Sequence, residues 1–554
     1  MSHQRHFVTV GGRQVHYRRA GSGPPVVLLH ACPKSSVEQA PLVERLARRF
    51  TAIALDMPGY GESEPLAPEQ PEIADFADAL AATLDALGIA RCAAYGRHTG
   101  GLIALEMGRR HPGRLSRAIF DGFPVFSEAE RRRFLAGYLQ PLMPLWDGLH
   151  LPGLWARMRE NYLFFPWNDG PVPENRNDLS MPPARQLHGT AMDLLKVMDR
   201  WRVGYASAFR YRPEAALGAV AWPALIMARR DDLLYPHLER LPPLGPSIRV
   251  EPHDYDVETW AARIEAYLGE AADLEDAPPA VPPAPRAGLP WSRMAACGVG
   301  DMRLRRTGDG PARVLLLHDV PGSSVIEAPL GRALAGHGEV AMPDLPGIGP
   351  SAPLPAGATA DDLVAALAAG LDGALAPDAT LVARGLAAGL ALRLSARLGH
   401  RGRVVLVRPA FPLHGRSGFA EAYAPPLLPD DEGTHLTRAW YRARDGELYW
   451  PWFERSRAAI RWGERRLDPA VLTHKVVAMA EDPQAYRTLA LAAAEAALEP
   501  PTVPVAGLVV ADGDAIGRAL AARAEAALGG GARVVTAEPS IEAEAEAIGA
   551  WLAG

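Results

Sequence analysis

Three cysteines in 554 residues, Cys32, Cys92 and Cys297, are too few and too scattered for a disulfide framework or a cysteine-ligated metal cluster. Lysine is nearly absent. Only Lys34, Lys196 and Lys475 contribute to the 58 Lys and Arg residues, a bias of composition rather than of chemistry. An excess of one charge is missing too: the net charge is −6 and no basic stripe offers a footprint for nucleic acid. No apolar run is long enough to span a bilayer, and Met1-Ser2-His3-Gln4-Arg5-His6 opens on no apolar signal core. These absences predict a cytoplasmic protein whose partner is a small molecule, with no cofactor, no metal, no nucleic acid and no membrane. What is present suits globular cores, with 48% hydrophobic and 22% charged residues, and the length predicts several domains.

The most informative stretch is Gly96-Arg97-His98-Thr99-Gly100-Gly101. It follows a buried-strand run, Cys92-Ala93-Ala94-Tyr95, and opens a helical segment from Leu102 to Arg110. Strand, glycine-flanked turn and helix resemble the nucleophile elbow of the α/β-hydrolase fold superfamily, G-x-Nuc-x-G. At its centre stands His98, where that family has Ser, Cys or Asp. Two further motifs occur in the family's order. His30-Ala31-Cys32-Pro33 ends the apolar run Val26-Val27-Leu28-Leu29 and is similar to the H-G-x-P loop. Asp56-Met57-Pro58-Gly59-Tyr60-Gly61-Glu62-Ser63 resembles the D-x-P-G-x-G-x-S turn.

The resemblance implies further roles. The oxyanion hole would be the backbone N–H groups of Cys32 and Thr99. The acid would follow the strand Pro223–Ala228, with Asp231 favoured and Asp232 and Asp121 as alternatives. The histidine would be His253, after the last strand. His30 is expected as a loop histidine at the substrate side.

The chain also repeats itself. His30-Ala-Cys-Pro-Lys-Ser-Ser-Val37 recurs as His318-Asp-Val-Pro-Gly-Ser-Ser-Val325, and Asp56-Met-Pro-Gly-Tyr-Gly61 as Asp344-Leu-Pro-Gly-Ile-Gly349. Phe165-Pro166-Trp167 recurs as Trp450-Pro451-Trp452. The offset is about 285 residues, far beyond the roughly 20–50 of solenoid repeats, so it marks a duplicated domain. Two tandem α/β domains are therefore predicted, each a mostly parallel sheet with a helical cap: residues 1–270 with a cap near 126–219, and 291–554 with a cap near 413–500. Between them, 271–290 is dense in proline and reads as a semi-rigid linker. In the second copy Gly385 aligns with His98 and Ser540 with His253, whereas Asp514 still matches Asp231. That copy reads as a pseudo-enzyme, expected to pack on the first as an internal pseudo-dimer.

The first cap is rich in aromatics, and Trp146, Trp155, Phe164 and Trp167 are candidate substrate contacts. The expected substrate is a small or medium apolar or aromatic carbonyl compound: an ester, a thioester or a ketone cleaved at a C–C bond. A neutral imidazole at position 98 could attack such a carbonyl directly, with His253 activating water. Alternatively His98 is a general acid or base in a lyase, isomerase or decarboxylase, or the first copy only binds a ligand.

Overall fold

A computed structural model describes residues 3–271, 273–286, 288–399, 402–413 and 417–554. Residues 272 and 287 of the predicted linker, 414–416 of the predicted second cap, and Met1-Ser2 of the N-terminal stretch lie outside the described residues. The chain forms two compact units. One comprises residues 1–143 and 153–284, the other 144–152 and 285–554. The division between residues 284 and 285 falls inside the proline-rich stretch.

The first unit is built on one eight-stranded sheet: β1 (Gln4–Val10), β2 (Arg13–Ala20), β3 (Pro25–Leu29), β4 (Thr51–Leu55), β5 (Cys92–Arg97), β6 (Leu115–Asp121), β7 (Ala224–Arg229) and β8 (Ile248–His253). Their spatial order is β1-β2-β4-β3-β5-β6-β7-β8. The β1–β2 and β2–β4 pairs are antiparallel, and every pair from β4 to β8 is parallel. Helices cover both faces, so the central strands are apolar on both sides rather than alternating. In β3, Val27 and Leu29 join one core, whereas Val26 and Leu28 join the other.

The second unit repeats this topology with β9 (Trp291–Ala296), β10 (Asp301–Arg306), β11 (Ala312–Leu317), β12 (Val340–Pro343), β13 (Leu375–Arg384), β14 (Val404–Val407), β15 (Gly507–Ala511) and β16 (Arg533–Thr536). Read from the other edge, its order is β9-β10-β12-β11-β13-β14-β15-β16. The predicted architecture of two mostly parallel sheets, each flanked by helices, is thus what forms.

In both units helices are inserted between two neighbouring parallel strands. Between β6 and β7 the helices Glu128–Arg133, His150–Leu163, Ala184–Val197, Arg202–Arg210 and Glu214–Gly218 are inserted. Between β14 and β15 lie Phe419–Tyr423, Thr434–Leu448, Pro469–Ala480 and Pro483–Leu498. Among the described residues no helix is long and apolar enough to cross a membrane. No cluster there of three or more His, Cys, Asp or Glu could hold a metal ion.

Candidate active site

The turn between β5 and the helix Thr99–Arg110 is tight because its glycines have no room for a side chain. A Cβ at Gly100 would meet the Leu29 carbonyl oxygen at 2.5 Å, and one at Gly96 would collide with the Gly100 backbone. This forces the apex residue into a sparsely populated conformation: His98 has φ 47° and ψ −113°. Holding a non-glycine residue in such a conformation costs about 1–3 kcal/mol, a burden that usually marks a functional position.

The His98 ring is held from the far side of the sheet's carboxyl edge. Its Nε2 lies 2.9 Å from both carboxylate oxygens of Asp232, just beyond β7. Asp232 also accepts from Arg97 Nη2 at 3.0 Å and from the Leu234 N–H at 2.9 Å. Burial works against ionising Asp232, but the His98 ring, its hydrogen bond and the Arg97 guanidinium outweigh it. They hold the carboxyl well below the usual carboxylate range. A carboxylate only accepts, so the His98 proton sits on Nε2. Nδ1 is left with its lone pair and without a hydrogen-bond partner among the described residues. Gly122 makes room for this arrangement, since a Cβ there would stand 2.5 Å from His98 Cδ2 and 2.6 Å from Nε2.

Beneath the pair runs a second ionic layer. Glu38 accepts from Lys34 Nζ at 2.9 Å and lies 3.6 Å from Arg97. Burial opposes its charge, yet Lys34 and Arg97 hold its carboxyl at about 2. Asp121 accepts from the Tyr95 hydroxyl at 2.6 Å, and burial pushes its carboxyl up.

His98 faces a cavity of 610 Å³ that extends under the cap. Cys32 and Thr99, the predicted oxyanion-hole residues, both line it. Burial pushes the Cys32 thiol up to about 12, which keeps it protonated and inert as a nucleophile. The second unit has the corresponding loop, with its N–H groups engaged by a side chain. There the N–H groups equivalent by sequence, Val320 and Leu386, donate to one oxygen of Asp319 at 2.7 and 2.9 Å. The first unit has Ala31 in place of Asp319, so no carboxylate from that position can take the Cys32 and Thr99 N–H groups.

The remaining predicted residues are dispersed. Asp231 reaches the cavity wall but pairs with Arg229 Nη2 at 2.8 Å, so the ring of His98 is given to Asp232 and not to the favoured Asp231. Asp121 bonds Tyr95, and only its carbonyl meets position 98, accepting from the His98 N–H at 2.9 Å. His253 does not line the cavity. It is still inside β8, in register with Arg229, and the chain reaches the cavity wall only later, at Tyr255. His30 is fully buried behind the loop, where Nε2 accepts from the Met57 N–H at 2.9 Å and Nδ1 donates to the Ala31 carbonyl at 2.9 Å.

None of the four predicted cap contacts lines the cavity. Trp146 is 76% exposed and Trp155 is buried in the cap. Phe164 lies under the Arg176 guanidinium, and Trp167 packs on Tyr138. The aromatic wall is formed instead by Phe126, Tyr138, Tyr162, Phe165, Tyr205 and Phe209. Arg97, Glu38 and Arg157 were not expected there. Arg97 sat inside the elbow motif itself, and its place before the apex was the available signal.

The family model for the alpha/beta hydrolase fold matches residues 24–244. The two sheets of this chain, mostly parallel and flanked by helices, have the α/β-hydrolase fold that this model describes. Among curated relatives, a soluble epoxide hydrolase of Corynebacterium sp. (strain C12) is 46% identical over 59 residues, 11% of this chain and 21% of that protein. The (E)-2-((N-methylformamido)methylene)succinate hydrolase of Acinetobacter baylyi is 30% identical over 120 residues, 22% of this chain and 45% of that protein. The chain spans less than half the length of the curated relatives it matches. Among solved structures, the esterase RhEst1 from Rhodococcus sp. ECU1013 is 21% identical, with a TM-score of 0.38 over 49% of this chain and all of that one.

The second elbow has a glycine at its apex and so no side chain there. A Cβ at Gly385, φ 58°, would fall on the Asp319 carboxylate. Ser540 Oγ accepts from the Ala543 N–H at 3.1 Å and caps the last helix, while Asp514 caps Ala515–Ala527 and pairs with Arg465.

Two outcomes follow. Gly385→Ala lowers the thermal midpoint of the second unit, and in an Asp319→Ala background it lowers it less, because the clash is gone and only the φ strain remains. Equal losses in both backgrounds would refute the clash with Asp319. Asp232 is depressed in the folded state, so its stabilisation is complete above its ordinary value of 3.8 and drains as pH falls below that. Acid melts of wild type and Asp232→Asn therefore converge as pH drops below about 4; parallel curves would mean that Asp232 is not ionised in the fold.

Proposed function

We propose that the first unit is a hydrolase for apolar or aromatic carbonyl compounds in which a single histidine, His98, is the base. The His98–Asp232 pair at the strained elbow is the observation that carries this reading. Nδ1 takes a proton from water as the water oxygen bonds to the carbonyl carbon. The carbonyl electron pair moves onto oxygen, where the N–H groups of Cys32 and Thr99 receive the charge. Collapse of this intermediate breaks the bond to the leaving group, which takes the proton back from Nδ1. The Asp232 carboxylate keeps the ring oriented and stabilises the imidazolium between the two transfers.

Several features support this reading over the triad expected from sequence. Asp232 supplies the acid, and His253 is given no part. The aromatic wall suits an apolar acyl group or leaving group. The two relatives described above carry hydrolase names, one for an epoxide and one for a substituted succinate. For the second unit we infer no turnover, because Gly385 offers no reacting atom and the Asp319 carboxylate occupies the position an oxyanion would need.

The test uses aryl esters such as 4-nitrophenyl pentanoate in ¹⁸O-labelled water. His98→Ala abolishes turnover, Asp232→Asn lowers kcat by up to about 10⁴-fold, and Asp231→Asn changes it little. Label enters the released acid. An acyl group trapped on His98 by rapid quench would replace general-base catalysis with a covalent route. Full activity in His98→Ala would overturn the assignment.

A further inference from the structure

The cations in the cavity wall are matched to carboxylates, with one exception. Lys34 has Glu38, Arg97 and His98 share Asp232, and Arg229 has Asp231. Arg157, on the helix His150–Leu163, lines the same cavity and has no hydrogen bond or ion pair among the described residues. Its guanidinium is instead held on aromatic faces, 4.0 Å from the ring centre of Trp201 and 5.1 Å from that of Trp167. The charged and titratable groups that bear on it are Tyr138 and Tyr205, neither of them a carboxylate. Burial, the largest influence, works against its charge, but a guanidinium stays protonated at neutral pH.

One helical turn further on, Asn161 also lines the cavity. Its side-chain oxygen accepts from the Tyr138 hydroxyl at 3.0 Å. Positions 157 and 161 share one helix face, so the guanidinium and the Asn161 amide flank the same patch of wall.

We propose that Arg157 is the anchor for a carboxylate carried by the substrate, at the end remote from the carbonyl that the water activated by His98 attacks. The ligand class is a monoanionic acid with an apolar or aromatic body. The planar, forked guanidinium suits a carboxylate, and the Trp201 and Trp167 rings hold it ready, so little side-chain entropy is lost when the anion arrives. A carboxylate here would leave every cation of the wall paired. The proposal rests on the hydrolytic reading of the same cavity.

Stacking alone is a rival role. At the aligned position of the second unit, Arg442 lies 4.8 Å from the Trp452 ring centre and 4.3 Å from that of Tyr423, beside a cavity of only 60 Å³. The experiment therefore reads selectivity. With the full chain, kcat/KM is compared for mono-4-nitrophenyl glutarate and the neutral 4-nitrophenyl pentanoate. A charge-assisted pair in a desolvated wall is worth about 10-fold or more. Arg157→Met then lowers the acid-to-neutral ratio by about 10-fold or more, mainly through KM, and Arg157→Lys restores part of it. A structural brace would lower both substrates together and leave the ratio where it was, which would overturn the proposal.

Should neither ester be turned over, the hydrolytic reading fails and the anchor is still decided by calorimetric titration with 4-phenylbutyrate and 4-phenylbutyramide. Carboxylate binding at least about 10-fold tighter than amide binding, lost in Arg157→Met, upholds the anchor. Equal binding, or none by the carboxylate, overturns it.

Discussion

The contact between His98 Nε2 and the Asp232 carboxylate, 2.9 Å long, is the one on which the chemistry proposed for the first unit depends. It joins two strand ends, β5 and β7, that the fold brings together at the carboxyl edge of the sheet. It also fixes the tautomer. With the proton on Nε2, the free lone pair is on Nδ1, and only that atom can accept a proton from water. The surroundings serve this contact: Arg97 and the Leu234 N–H hold Asp232, and Gly122 leaves space for the ring. A strained backbone at His98 is the cost, and the tight Gly96 and Gly100 contacts impose it.

The second unit shows what the same backbone becomes without a reacting side chain. Its apex is Gly385, which tolerates positive φ without penalty. The Val320 and Leu386 N–H groups at its elbow both donate to Asp319. Where Arg97 faces Asp232 in the first unit, Arg384 is buried between Glu327 and Glu544. The cavity shrinks from 610 to 60 Å³. Charge compensation within the protein has replaced an open site, and this contrast gives the unmatched Arg157 in the open cavity its significance.

Much of the fold was legible in the residues. Runs such as Val26–Leu29 are apolar on both faces because helices cover both sides of the sheet, and the repeated loop motifs lie at equivalent strand ends. The elbow was legible because only glycine fits at positions 96 and 100. The acid was harder. At the end of β7 the apolar run stops, and nothing local separates Asp231 from Asp232; in space Arg229 takes Asp231, and the Leu234 N–H and His98 hold Asp232. His253 ends β8, in register with Arg229, and the chain reaches the cavity wall two residues later, at Tyr255, a difference that the sequence pattern does not carry. Aromatic composition foretold an aromatic wall but could not say which faces of the cap helices turn inward. A lone arginine on a helix, such as Arg157, looks like any solvated side chain until its neighbours are known. Asp319 was visible in the alignment with Ala31, but its meaning needed the two N–H groups that converge on it.

The central claim concerns one proton, and ¹⁵N NMR of the full chain with labelled histidine observes it directly, with His98 assigned by its loss in His98→Ala. The expected result at neutral pH is a protonated Nε2 and an unprotonated Nδ1, with this preference weakened in Asp232→Asn and untouched in Asp231→Asn. A proton on Nδ1, or a tautomer indifferent to Asp232, would contradict the account.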